Sequence, residues 1–288
     1  MQDGKDLPYV FILDLDGTIV GSVEFQVSRY SLIQTLKKHG LKAPAQKEVP
    51  EAYYREELLI RPGFLECIQT LKSNFQWCHI FIYTASEKKW ANHEIQWIEK
   101  SLGISFEKPI FTRSDCVIQA NGSIRKSLRK ILPRIFRTLS RQKNLTPHEK
   151  EYIIKNQLMI IDDNSVYLDA QERILLCASY NYLYCENILE GIDNQSLSHP
   201  SIREEYTGLV KEGLVHPHAY DEGKDHHTKK ASIHLWMAEK CKMVFQRNQP
   251  YHKDVFWKKL RHIIIKNNII RFSSQIIHQL QNLMYPKK

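Results

Sequence analysis

Two pairs of carboxylates carry the chemical potential of this sequence. Asp14 and Asp16 stand one residue apart, after the apolar run Tyr9-Val10-Phe11-Ile12-Leu13 and before Gly17 and Thr18. Asp162 and Asp163 are adjacent and close a second apolar run, Gln157-Leu158-Met159-Ile160-Ile161. Residues i and i+2 of an extended chain point to the same side, so Asp14 and Asp16 can face one small polar site. Carboxylates this close repel each other unless a cation or a proton lies between them. Mg2+ takes one or two carboxylates together with phosphate oxygens, and a carboxylate can itself attack phosphorus to give an aspartyl phosphate. The plain alternative is an acidic strand-to-helix turn with Asp16 or Thr18 as an N-cap. The apolar run before the pair and the Gly-Thr after it weigh against that reading.

Three further positions suit the same chemistry. Thr84 follows the apolar run 77–83 and precedes a helical pattern over 87–102. A hydroxyl at a strand end beside a helix N-terminus makes an anion site, because free N–H groups and the helix dipole favour negative charge. Thr84 is therefore the candidate phosphate ligand, with Ser86 as the helix N-cap. Lys126, within Ser123-Ile124-Arg125-Lys126-Ser127-Leu128, is the candidate cation. A cation there would offset nucleophile and phosphate charge together, although Arg125, Arg129 and Lys130 are close by. In Arg61-Pro62-Gly63, Pro62 suits the first turn of a helix, and Arg61 offers a bidentate fork to a phosphate.

Elements must hold these residues at a common edge. Strands are expected over 9–13, 77–83, 108–112, 157–161 and 173–178, and helices over 22–40, 51–59, 62–71 and 87–102. A basic helix over 128–139 is expected to break at Pro133, 141–150 reads as a loop, and Asn121-Gly122 marks a turn. Strands alternating with helices give an α/β fold whose parallel strands present ligands beyond their carboxyl ends.

Taken in order, Asp14-Leu15-Asp16-Gly17-Thr18, Tyr83-Thr84-Ala85-Ser86, Lys126 and Asp162-Asp163 resemble the four motifs of the haloacid dehalogenase-type phosphotransferases. Arg61-Pro62-Gly63 and Arg113-Ser114-Asp115-Cys116 resemble the narrower NLI-interacting-factor-like group, phosphatases that act on the tail of RNA polymerase II. The resemblance covers residues 8–187. Three positions depart from the narrower pattern: Gly17 stands where glutamate is usual, Ser127 replaces aspartate, and Asn164 interrupts Asp-Asp-Ser-Pro. The resemblance implies a Rossmann-like sheet flanked by helices, with residues 22–60 as a short helical cap that leaves the site open to a large substrate. It implies Mg2+ held by Asp14, the Asp16 carbonyl and Asp163, with Asp162 orienting Lys126 or a metal-bound water. Asp14 would be the nucleophile, Asp16 the acid and base, and Thr84, Lys126 and Arg61 the phosphate ligands. The implied substrate is a phosphoserine or phosphothreonine protein, the polymerase tail among them. A polynucleotide 3'-phosphatase, a small-metabolite phosphatase and a non-catalytic binding module are the alternatives.

Composition bounds the rest. A chain of 288 residues with 42% hydrophobic and 10% aromatic residues supports a folded core. Six cysteines without a CxxC spacing read as reduced thiols of an intracellular protein, cytoplasmic or nuclear. The apolar run near the N-terminus is too short and too acidic for a signal peptide, and no stretch approaches the roughly 18 apolar residues of a membrane span. Residues 195–288 hold 16 Lys and Arg against 8 Asp and Glu, so +8 of the formal +9 lies there. This shift sets an expected boundary between a phosphatase domain, 1–194, and a basic helical region, 195–288. Apolar residues at helical spacing over 232–245, 255–270 and 276–283 would pack that region on itself. It would dock an acidic partner, a phosphorylated tail or nucleic acid, and the chemistry is expected not to need it. The run Asp225-His226-His227 reads as solvated surface.

Overall fold

A computed structural model describes residues 7–45, 49–54, 58–217, 219 and 226–286, with the side chains of 226–234 outside that description. The histidines of the Asp225-His226-His227 run lie among those side chains, Asp225 lies outside the described residues, and so does part of the helix expected over 51–59. What is described of that helix is a single 3-10 turn, Glu51–Tyr53. No described helix is long and apolar enough to cross a membrane.

The chain divides into two compact units. The first comprises residues 1–21, 60–181 and 254–288, and the second 22–59 and 182–253. Neither division falls at 194/195.

The first unit is built on four parallel strands: β1 (Tyr9–Leu13), β2 (Cys78–Ile82), β5 (Leu158–Asp162) and β6 (Ile174–Leu176), in the order β2-β1-β5-β6. Between them, β3 (Val117–Ile118) and β4 (Ile124–Arg125) form an antiparallel hairpin around the expected turn, with Gly122 at φ +78°. All five residues of β1 are buried, as expected of a central parallel strand covered on both faces. Val10 and Ile12 face a core shared with Phe81, Tyr83 and Leu158, with Ile131 and Ile135 of α4 (Leu128–Leu139), and with Ile153 of α5 (Pro147–Asn156). Tyr9 and Phe11 point the other way, to Phe75 and Phe272; the Phe11 and Phe272 rings are 5.2 Å apart and edge-on. That face is covered by α2 (Phe64–Asn74), α9 (Phe256–Lys266) and α10 (Ser274–Met284), with α9 packed on α2 and α10 on β6. The C-terminal stretch is thus not one helical unit folded on itself, because α9 and α10 belong to the sheet.

Register aligns the strand ends. Leu13 pairs with Ile82 on one side and Ile161 on the other. The chain after each strand therefore emerges at one edge: Asp14 from β1, Tyr83 and Thr84 from β2, and Asp162 and Asp163 at β5.

Three local expectations need correction. The segment 108–112 forms no strand. It meets the chain of β2 at the bridge of Tyr83 to Phe111, where the Phe111 N–H bonds Ile82 and the Thr84 N–H bonds Phe111; the preceding Glu107 N–H bonds Ile80, and Pro109 between them has no N–H to give. The α4 helix runs unbroken through Pro133. Its apolar stripe, Leu128, Ile131, Ile135 and Leu139, is buried in the core and offsets the lost backbone bond. The supposed loop 141–150 contains the start of α5, where Thr146 and Glu149 close a capping box ahead of Pro147.

The second unit has its own core: Phe25, Leu32 and Leu36 of α1 (Glu24–Lys38) with Leu183, Ile188, Leu197, Ile202 and Leu209. It also contains α6 (Asn194–Ser198), α7 (Pro200–Lys211) and α8 (His226–Asn248). Arg29 of α1 bonds the carbonyls of Asn187, Ile188 and Glu190 at 2.8–3.0 Å, and Thr35 bonds Glu205. The stretch expected as a cap is in this way half of a unit completed by residues 182–253.

Candidate active site

Five segments of the first unit supply the site. Asp14 follows β1 and its N–H reaches the Ile161 carbonyl at 2.9 Å. Lys126 extends the β4 arm and is fixed by two backbone bonds, its N–H to the Val166 carbonyl at 3.0 Å and the Leu168 N–H to its own carbonyl at 2.9 Å. Its ammonium crosses to the strand ends and donates to Asp14 Oδ1 at 2.6 Å and Asp162 Oδ2 at 2.7 Å. The rings of Tyr83 and Tyr167 stand 5.7 and 5.8 Å from that nitrogen, within cation–π range. Carboxylate oxygens of Asp14, Asp162 and Asp163 lie within 4.8 Å of one another.

Asp16 is held separately. Its Oδ2 accepts from Ser86 Oγ at 2.6 Å and from Thr84 Oγ1 at 3.3 Å, while Thr84 Oγ1 accepts from the Ser86 N–H at 3.0 Å. Ser86 is therefore not the N-cap of α3 (Lys88–Leu102); Glu87 occupies that position, without a side-chain cap. Asp162 Oδ1 accepts from the Asn164 N–H at 2.8 Å, and Asp163 Oδ1 from the Asn164 amide at 3.0 Å.

The electrostatics follow from four carboxylates around one ammonium. Burial pushes Asp14 up to about 8, with Asp162 and Asp16 adding repulsion and Lys126 opposing them. Burial likewise raises Asp16, against the hydrogen bond from Ser86, and raises Asp162, against Lys126. Burial alone would lower Lys126, but Asp14 and Asp162 outweigh it and hold the ammonium well above its ordinary value. Such a cluster suits a hard divalent cation, which takes oxygen ligands only and would relieve the repulsion. Asp14 and Asp163 can supply carboxylate ligands; the Asp16 side chain lies outside the cluster of three, so only its backbone carbonyl is left for that part.

Gly17 is constrained on both counts that favour glycine. Its φ is +75°, and a Cβ would lie 2.5 Å from Asp163 Oδ2 and 2.8 Å from Ser179 Oγ. The missing aspartate after Lys126 has a counterpart: Asp169 accepts from Ser127 Oγ at 2.8 Å and from the Leu128 N–H at 2.7 Å, placing a carboxylate at the α4 N-terminus.

Six of the expected site residues, Asp14, Asp16, Thr84, Lys126, Asp162 and Asp163, come together at this edge. Arg61 does not point a free fork at it. It is 1% exposed, gives Nε and Nη2 to the two oxygens of Asp254 at 2.9 and 2.8 Å, and approaches the Gly17 carbonyl with Nη1 at 3.5 Å. The sequence reading missed Ser86 as a partner of Asp16, and missed Tyr167, Asp169 and Asp254 altogether. Asp254 stands 193 positions from Arg61 and carries no local signal.

A parallel sheet that gathers two acid pairs, a hydroxyl and one lysine at its carboxyl edge defines a haloacid dehalogenase-type phosphatase. Residues 9–194 match the family model described as NLI interacting factor-like phosphatase, and the chain belongs to that family. No curated protein matches the chain. Among solved structures, it is similar to Fcp1, described as an essential RNA polymerase II CTD phosphatase, with 16% identity over 94% of this chain and 70% of that one and a TM-score of 0.37. An arginine-to-alanine variant of fission yeast Fcp1 bound to beryllium fluoride follows at 14% identity, the same coverage and a TM-score of 0.36. A putative beta-phosphoglucomutase from Thermotoga maritima is 16% identical over 71% of this chain and 99% of that one, with a TM-score of 0.30.

Proposed function

We propose that the chain is a Mg2+-dependent phosphatase that forms an aspartyl phosphate on Asp14 and acts on phosphoserine or phosphothreonine in proteins, the RNA polymerase II tail among them. The observation that carries the reading is the Lys126 ammonium shared by Asp14 and Asp162, with Asp163 completing a compact oxygen cluster. Bound by Asp14, Asp163 and the Asp16 carbonyl, Mg2+ would supply charge that lets a phosphate dianion approach and polarises its oxygens.

The chain's own groups do the rest. The Asp14 carboxylate attacks phosphorus in line while Lys126 and Thr84 hold the equatorial oxygens. Asp16, raised by burial and braced by Ser86, carries the proton that the leaving oxygen takes. The deprotonated Asp16 then withdraws a proton from the water that attacks the aspartyl phosphate, which frees Asp14. Asp162 keeps Lys126 extended toward Asp14. Arg61 has no direct phosphate contact in this scheme and acts at one remove.

Family membership supports the protein substrate. The +8 excess over residues 195–288 favours a second reading, a polynucleotide 3'-phosphatase that would use the same centre. Hydrolysis of an aryl phosphate, a phosphoserine peptide and a 3'-phosphorylated oligonucleotide, each with Mg2+ and with a chelator, separates the two. The expected result is chelator-sensitive turnover with the highest kcat/KM on the phosphopeptide. Preference for the oligonucleotide would replace the substrate class, and no turnover of any of the three would remove the reading.

A further inference from the structure

The family match ends at residue 194, yet residues 254–286 are built into the first unit at the turn that follows the two site aspartates. That turn is compact. The Gly17 N–H bonds the Val20 carbonyl at 2.8 Å, and the Leu15 carbonyl accepts from the N–H groups of Thr18, Ile19 and Val20. Its outward carbonyls are taken up from elsewhere in the chain. The Ile19 carbonyl accepts from the Arg61 N–H at 2.8 Å, and the Gly17 carbonyl from the Tyr180 N–H at 2.8 Å. The Thr18 carbonyl accepts from Trp257 Nε1 at 3.3 Å.

Arg61 and Trp257 are both buried, and both depend on the C-terminal segment. The Arg61 guanidinium is gripped bidentately by Asp254 and stacked 4.7 Å from the Phe256 ring and 5.4 Å from the Tyr180 ring. Asp254 also accepts from the Phe256 N–H at 3.1 Å, which ties the pair to the first turn of α9. Trp257 is fully buried, edge-on to Phe64 at 5.1 Å. The helix start is pressed onto Gly63, where a Cβ would meet the Lys258 side chain at 2.7 Å. Further on, Tyr9 Oη reaches the Ile270 carbonyl at 2.7 Å, and Gln281 exchanges two hydrogen bonds with the backbone of Leu176 on the edge strand β6.

We propose that Asp254, acting through Arg61, and Trp257 are positioning residues that hold the Gly17–Ile19 turn, so that the phosphatase centre is complete only with the segment beyond the family match. The inference rests on the reading of Asp14 and Asp16 as the reacting pair. Neither Asp254 nor Trp257 touches an aspartate of the centre; each acts on the backbone that aims them. A catalytic carboxylate must sit in line with phosphorus, and a small displacement of its backbone costs turnover more than it costs ground-state binding.

The test uses the full chain as Asp254→Asn, Asp254→Glu and Trp257→Phe, each confirmed folded. Two readouts are taken: steady-state hydrolysis of an aryl phosphate with Mg2+, and hydrogen exchange at the amides of residues 15–20. Asp254→Asn is expected to lower kcat about tenfold or more with KM little changed, and Trp257→Phe less, in line with misplacement of a reacting group. Asp254→Glu is expected to recover part of the loss. Exchange at residues 17–20 should quicken in Asp254→Asn and Trp257→Phe, while α4 keeps its protection. Unchanged kcat and unchanged exchange at the turn in both folded variants would overturn the proposal, as would a fall in melting temperature alone. Should Asp254→Asn fail to fold, Trp257→Phe carries the test. Absence of turnover in the parent chain would count against the phosphatase reading, and the exchange measurement would still decide whether the segment holds the turn.

Discussion

Among the described residues Lys126 is the one ammonium placed among the four carboxylates, and its sequence neighbours do not take its place. Arg125 lies only half-buried in β4, and β-strand alternation points it away from the side that Lys126 faces. Lys126→Ala should therefore lower kcat on an aryl phosphate by about 10²–10³-fold, the usual cost of removing one preorganised donor, and Arg125→Ala should do far less. Comparable losses in the two variants would contradict the assignment. Gly17 carries a second prediction at this scale. Gly17→Ala meets both a positive φ and the Asp163 carboxylate, so stability should fall by about 1–3 kcal/mol in denaturant titration, with activity falling as Asp163 is displaced. An alanine variant of native stability would mean that the turn adjusts without strain. The acid pairs, Thr84 and Lys126 were legible in the sequence because each sits at the end of an apolar run or in a short motif. Ser86 was visible but misassigned, since a serine before a helix reads as a cap whether or not its hydroxyl faces a distant carboxylate. Asp169 and Asp254 act across 41 and 193 positions of chain, and nothing in their neighbourhoods marks them.

Among the elements, β1, β2 and β5 were legible nearly to the residue, because continuous apolar runs flanked by polar sequence have few other uses. Two local rules were overridden by packing. Pro133 was read as a break, but the buried stripe of α4 holds the helix through it. Pro109 spoiled what would have been a longer strand, leaving backbone bonds on either side of it and no ladder. The start of α5 was misread for the opposite reason: Thr146-Pro147 looks like turn chemistry, yet with Glu149 it is a helix start. Thr146→Ala should remove the side-chain half of the box, in which the Glu149 N–H bonds Thr146 Oγ1, and leave the Thr146 backbone N–H to bond Glu149. A loss of about 0.5–2 kcal/mol of stability is expected on thermal or chemical unfolding, with phosphatase activity of the folded variant unchanged. No loss of stability would argue that α5 is held by its core contact, Ile153, alone.

At the scale of the molecule, charge and packing divide the chain at different places. The basic excess after residue 194 suggested a separate domain, and the end of the family match falls at the same place. Net charge bears on solubility and partners, not on which helices share a core. Apolar periodicity in 255–270 and 276–283 foretold two amphipathic helices but could not say what they cover, and they cover the sheet. Removing residues 254–288 should therefore cost more than a docking surface. It takes away Trp257 and Phe272, both fully buried in the first unit. Fully burying one such side chain contributes about 1.5–3 kcal/mol, a large part of a typical domain's roughly 5–15 kcal/mol. A chain ending at residue 253 should lack a cooperative thermal transition and lose aryl phosphatase activity. A truncated chain that melts cooperatively and keeps its turnover would show that the sheet is stable without α9 and α10.

The central claim is that Asp14 is phosphorylated during turnover, and trapping the acyl phosphate tests it most directly. The full chain and its Asp16→Asn variant, in which breakdown of the intermediate should be slowed, are mixed with an aryl phosphate and Mg2+ and quenched in acid. The protein is then treated with hydroxylamine and mapped by peptide mass spectrometry. The expected result is a hydroxylamine-sensitive modification at Asp14 alone, enriched in the Asp16→Asn variant and absent from Asp14→Asn, which should also lack turnover. Turnover by a folded Asp14→Asn protein, or hydrolysis with no modification at Asp14 under any quench time, would contradict the account.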